Sequence, residues 1–154
     1  MKRLFKFTLL LFLLSLCACK DRPYPRLLVT ADSLTYCKPD SAISLLKQLG
    51  AQMNTEPETT QMYYKLLMIR AEDNAYMPYT SDSLIRPILN YYQDKKDSTR
   101  LPEVYYYAGR IYLDLGDTPQ ALKYLQKAIE ILKVNSNYRL TCKAFQQIGT
   151  LYLY

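Results

Sequence analysis

The sequence predicts an all-α chain of antiparallel helix pairs. Three observations carry that expectation. Apolar residues recur at helical spacing between Pro and Gly breakers, no segment alternates convincingly as a strand, and one 34-residue stretch reads as helix–turn–helix.

The elements follow in order. Pro23 and Pro25 bound a short linker, and Arg26 to about Tyr36 forms a first short helix. Pro39-Asp40-Ser41 opens a second, with Ala42, Ile43, Leu45, Leu46 and Leu49 on one stripe and a stop near Gly50. A third starts around Thr55 to Glu58, runs to about Tyr76 and ends at Met77-Pro78. Ser81-Asp82-Ser83 offers caps for a fourth, about Ser83 to Gln93, with Pro87 near its first turn, where proline costs least. Asp94 to Arg100 is a charged loop, and Lys95-Lys96 within it is a solvated pair.

Pro102 to Asn135 is the most informative stretch. Tyr105, Gly109, Tyr112, Gly116, Ala121, Leu125 and Ala128 fall at positions 4, 8, 11, 15, 20, 24 and 27 of the 34-residue unit. Small Gly109, Ala121 and Ala128 let two helices approach, with Gly109 and Ala121 expected to face each other. Tyr105, Tyr112 and Leu125 fill the space between. Gly116-Asp117 turns the chain, and Asp117 or Thr118 caps the next helix, at whose start Pro119 sits. This pattern resembles a tetratricopeptide repeat (TPR). It departs from the family at Ala108, where a larger residue is usual, and at Lys133, where Pro is expected. A second copy follows, with Phe145, Ile148, Gly149 and Tyr152 placed 40 residues after their counterparts. The longer period points to an extended helix or linker around Val134 to Arg139.

The resemblance implies a right-handed superhelix of TPR-like pairs, an α-solenoid, over 26–154. Its best repeat is 102–135 and an incomplete one is 142–154. The last helix would leave Phe145, Ile148, Leu151 and Tyr152 without a covering partner. Repeat arrays need polar caps, so the expectation is a truncated chain, or self-association through that helix.

Composition narrows the function. The 154 residues contain no His and only four Gly, so His-dependent nucleophiles, His-ligated zinc or haem, and Gly-rich phosphate loops are excluded. Neither cofactor nor metal is expected, and the chain reads as non-enzymatic. Glu72-Asp73 and Asp114 with Asp117, the nearest paired carboxylates, read as helix solvation and capping. Tyr91-Tyr92 and Tyr105 to Tyr107 read as core and rim rather than a stacking platform. Removing residues 1–18 takes away Lys2, Arg3 and Lys6 and reduces the net charge from +6 to +3, too small for a nucleic-acid footprint.

Met1-Lys2-Arg3 and the ten-residue apolar region from Phe7 to Leu16 form a signal-peptide pattern. That apolar core would span about 15 Å, half of a roughly 30 Å bilayer core. Leu16-Cys17-Ala18-Cys19 resembles the bacterial lipobox, with 1–18 removed and Cys19 lipid-modified (palmitate among its acyl chains). Residues 19–25 then form a lipid-anchored linker. Cys17 fits less well because Leu16 would precede it. Together these features resemble TPR lipoproteins of Gram-negative bacteria. Lys20 favours the outer membrane, with the leaflet open. Cys37 and Cys142 are expected as distant free thiols.

The resemblance also implies a concave binding face. Its candidates are Glu103, Tyr106, Arg110, Leu113 and Asp114, then Lys143, Gln146, Thr150, Leu153 and Tyr154. The leading function is a membrane-anchored scaffold binding a protein or peptide in the cell envelope. The alternative is the extracytoplasmic sensory part of a signalling or transcription regulator whose output module is absent. A carbohydrate-uptake lipoprotein would need a far longer chain.

Overall fold

The computed structural model describes residues 24–133 and 137–153. The expected signal peptide, Cys19, and residues 134–136 and 154 lie outside these. Seven helices make up the described residues: α1 (Arg26–Leu34), α2 (Pro39–Met53), α3 (Glu58–Asn74), α4 (Ile85–Lys95), α5 (Leu101–Asp114), α6 (Thr118–Leu132) and α7 (Tyr138–Leu151). Each packs on its neighbours in sequence. The odd-numbered helices also touch one another in succession, α1 on α3, α3 on α5 and α5 on α7, whereas α2, α4 and α6 do not meet. The result is an all-α solenoid of helix pairs with α1, α3, α5 and α7 along one side.

Two apolar clusters run through the stack, and α3 feeds both. Tyr63, Leu67 and Ala71 join Leu28, Ala31, Ala42, Leu46 and Leu49 under α1 and α2. Leu66 and Ile69 face the other way, into a core completed by Ile88, Tyr92, Val104, Tyr107, Leu125 and Leu132. A helix covered on both sides has no single apolar stripe. The exposed faces of Tyr91 and Tyr105 form the rim of this core, while Tyr92, Tyr106 and Tyr107 are buried.

The best repeat shows why its small residues are where they are. A Cβ placed on Gly109 would stand 2.6 Å from Leu125 Cγ and 3.2 Å from the Ala121 carbonyl oxygen. Leu125 therefore lies over Gly109, and Ala121 faces it as expected, through its carbonyl oxygen. Ala121, Leu125 and Ala128 are fully buried. Tyr105 and Tyr112 flank Tyr124 with their rings stacked at 6.1 and 5.6 Å. Gly116 takes φ +75°, the left-handed turn that glycine adopts without a steric penalty. Asp117 Oδ1 then accepts from the Gln120 amide at 3.1 Å, capping α6.

Several boundaries differ from expectation. Gly50 does not stop α2, which runs on to Met53, because a glycine inside a packed helix is a modest cost. The 40-residue offset does not come from a longer α6, which ends at Leu132. Instead α7 starts at Tyr138, 37 residues after the start of α5, so half of the six extra residues precede α7 and half lie within it; Asn137 accepts from the Leu140 amide at its start. Arg139 therefore belongs to α7. On that helix Leu140 and Ala144 are buried, and Ile148 and Leu151 pack partly against the main core. Only the opposite side is bare: Phe145 is 55% and Tyr152 75% exposed, and a Cβ on Gly149 would meet nothing within 4 Å.

Candidate functional site

The side of the stack built from α1, α3, α5 and α7 is a polar groove with two adjoining hollows. Its geometry starts from charged residues whose spacing is close to the repeat length. Arg70 on α3 is buried and forms a two-point contact with Glu103 on α5, Nε to Oε1 at 2.6 Å and Nη2 to Oε2 at 2.7 Å. Its remaining nitrogen donates to Asp32 on α1. Tyr63 also donates its hydroxyl to Asp32. Burial disfavours the Arg70 charge, but the Glu103 carboxylate more than offsets it, so the guanidinium stays firmly protonated.

One turn further along, Arg110 on α5 donates to Asp73 on α3 at 3.0 Å, to Asp114 at 3.5 Å and to Gln147 on α7 at 3.4 Å. The expectation that Asp73 and Asp114 are solvated carboxylates is corrected here. The Asp73 side chain is only 7% exposed and is held by Arg110. Asp114 also accepts from the Tyr79 amide. Lys143 on α7 donates to Asn74 Oδ1 at 2.9 Å.

The smaller hollow, about 110 Å³, is lined by Tyr36, Arg70, Glu103, Tyr107, Asn137, Arg139, Leu140 and Lys143. The larger, about 300 Å³, is lined by Asp73, Asn74, Tyr76, Tyr106, Arg110, Lys143, Gln146 and Gln147. Lys143 belongs to both. Tyr36, in the turn after α1, reaches the far end of the stack: Arg139 Cζ lies 4.8 Å and Lys143 Nζ 5.7 Å from its ring centre. The face therefore curves inward. Cys37 and Cys142, beside these meeting points in sequence, are both exposed free thiols, as expected.

The ten candidate face residues are thus divided; Leu153 is exposed beyond the end of α7, and Tyr154 lies outside the described residues. Glu103, Tyr106, Arg110, Lys143 and Gln146 line the hollows. Glu103 and Arg110 are engaged in ion pairs, and Tyr106 is 2% exposed, so it forms floor rather than reach. Leu113 packs against the core. Asp114 and Thr150 line neither hollow, and the Thr150 hydroxyl donates back to the Gln146 carbonyl within α7.

Sequence reading missed Tyr36, Asn74, Tyr76, Arg139 and Gln147. Tyr76 is the most telling. It adopts φ +58° and exposes 93% of its surface at the rim of the larger hollow. A bulky residue held in left-handed backbone costs energy, a feature that collects at functional positions.

Among the described residues no helix is long and apolar enough to cross a membrane, and no cluster of His, Cys, Asp and Glu could hold a metal ion. A family profile described as tetratricopeptide repeat matches residues 102–133, which are α5 and α6 with their flanks. No curated protein and no solved structure matches this chain. The chain therefore carries a tetratricopeptide repeat within a TPR-like helical solenoid, an architecture typical of non-enzymatic protein-interaction modules.

Proposed function

We propose that this chain is a lipid-anchored scaffold of the cell envelope that binds a protein or peptide in the groove of its odd-numbered helices. The carrying observation is the pair of adjoining hollows, which follow one another across α3, α5 and α7 and share Lys143. An extended segment laid across the helices would meet hydrogen-bonding groups at each step: Asn74, Gln146 and Gln147 around the larger hollow, Arg139 and Lys143 at the smaller. Tyr76 presents an exposed aromatic ring at the entrance, the type of side chain that anchors interfaces. The ion-paired Arg70, Glu103, Asp73 and Arg110 keep the groove's walls in place without being consumed by a ligand.

Anchoring rests on the N-terminal pattern, with Cys19 as the acylated residue and the outer membrane as destination. Two or more acyl chains suffice for stable attachment, where one does not. The bare side of α7, with Phe145, Tyr152 and Leu153 exposed, offers a second contact surface through which copies would self-associate.

The test places a photo-crosslinking residue at Gln146 in the groove and, separately, at exposed Gln126 on α6. Irradiation of intact cells should give a discrete adduct from position 146 and none from 126. Equal or absent adducts at both positions would overturn groove binding. In the same cells Cys19→Ser should abolish acyl labelling while Cys17→Ser leaves it intact.

A further inference from the structure

The first helix of the stack has a side that none of the described residues covers. α1 packs on α2 and α3 and on no other described helix. Leu28 and Ala31 take up its buried side. Arg26, Thr30 and Ser33 recur along the opposite side, with Leu27 and Val29 at its edges. All five are exposed, Leu27 at 51% and Val29 at 53%.

The polar groups on this side ask little of water. The Thr30 hydroxyl donates to the Arg26 carbonyl at 3.0 Å, and the Ser33 hydroxyl to the Thr30 carbonyl at 2.7 Å. The first turn holds no acidic residue, and Asp32, the one carboxylate of the helix, is bound by Arg70 and Tyr63. What remains is a short face of aliphatic side chains, satisfied hydroxyls and one cation. Taking such a face out of bulk water costs little, because the hydroxyl protons keep their partners.

The start of α1 is also fixed in place. The Tyr24 ring packs on that of Tyr63 at 4.6 Å, with Arg100 Cζ 6.0 Å away. The Pro25 carbonyl accepts from the Leu28 and Val29 amides at 2.8 and 3.2 Å. Tyr24 is the fifth residue after Cys19, a reach of about 17 Å at full extension. An acylated Cys19 would therefore keep α1, itself about 14 Å long, beside the headgroups. Lys20, Arg22 and Arg26 against Asp21 alone put cationic charge next to the anchor, which anionic headgroups attract.

We propose that this side of α1 lies on the lipid surface to which Cys19 is attached, with Leu27 and Val29 in the headgroup layer and Arg26 on the phosphates. The inference rests on the lipid-anchored reading above and deepens it. The tether raises the local concentration of lipid at α1, and the α1 contact sets the orientation. The stack then rises from the membrane on its first helix, with α3, α5 and α7 and their two hollows directed away from it.

The test uses the full acylated chain in vesicles of equal parts phosphatidylcholine and phosphatidylglycerol. Cys37 and Cys142 are replaced by Ser, so that one new cysteine carries an environment-sensitive fluorophore. Labels at Leu27→Cys and Val29→Cys should be quenched by spin-labelled lipid about threefold more than a label at Gln126→Cys on α6. Adding Arg26→Glu/Thr30→Glu should abolish that excess while the chain still floats with the vesicles. Flotation with equal quenching at all three positions, or an excess that survives the double variant, overturns the α1 contact and leaves the anchor standing. Labels at positions 27 and 29 that are shielded from aqueous iodide yet not reached by the lipid quencher would put a second copy on this side and overturn the lipid contact. A chain that neither takes up acyl label in cells nor floats overturns both.

Discussion

Arg70 on α3 and Glu103 on α5, 33 residues apart, form a bidentate ion pair with both side chains largely shielded from water. Removing one member leaves the other charged and buried, which in comparable pairs costs about 3–5 kcal/mol. Arg70→Met should therefore lower the denaturant midpoint sharply. The double change Arg70→Met/Glu103→Leu should recover much of the loss, because no buried carboxylate is left at 103, while Asp32, with a 35% exposed side chain, keeps solvent and the Tyr63 hydroxyl. Urea unfolding of the two variants checks this, and equal midpoints would show that the ion pair is not what is lost.

The two glycines 40 residues apart make a matched comparison. Gly109→Ala forces its new Cβ against Leu125 and should destabilise by about 1–3 kcal/mol. Gly149→Ala enters open space within a helix and should stabilise by about 0.5–1 kcal/mol. Thermal unfolding of the pair reads both signs directly.

Alkaline pH should unfold the protein cooperatively. Burial, and then the hydrogen bond to Asp32, push the Tyr63 hydroxyl up to about 12, and burial likewise raises Tyr79, Tyr92, Tyr106 and Tyr107. An unfolded chain releases these protons near the ordinary value of 10.0, while the folded chain retains them. Stability contributed by these groups is whole below pH 10 and falls as pH rises from there towards 12. Phenolate absorbance should show exposed tyrosines titrating first and the buried set only together with loss of helix.

Tyr76→Gly separates fold from binding. Glycine suits the left-handed backbone there, and the Tyr76 ring is nearly fully exposed. The variant should keep or slightly raise its thermal midpoint while the adduct from position 146 weakens. A weakened midpoint with an undiminished adduct would remove Tyr76 from the binding surface.

The helices were legible because their punctuation is local. Pro39, Pro102 and Pro119 open helices where a missing N–H is harmless, and Gly116 and Asp117 mark a turn and a cap within a few residues. The spacing from Gly109 to Ala128 gave the close packing of α5 on α6, although which group faces Gly109 depended on a rotamer of Leu125. The groove was less legible. Asp73 reads as a solvated carboxylate until α5 brings Arg110 to it from 37 residues away. The start of α7 had a signal in Asn137, an effective helix cap, yet the period alone could not divide the extra residues between α7 and the linker before it. Tyr36 was invisible as a groove residue because only the curvature of the whole stack carries it to Arg139.

That contact alters how the chain should fold. Stacked repeats with neighbour-only contacts unravel from either end in small steps. Here Tyr36 and Arg139, more than one hundred positions apart, couple the first pair to the last helix. An exposed contact of this kind contributes about 0.5–1 kcal/mol, roughly a two- to fivefold bias towards closure. Closing so long a loop also belongs late in the folding reaction, after the local helix pairs have formed, so weakening it should accelerate unfolding and leave the refolding rate nearly unchanged.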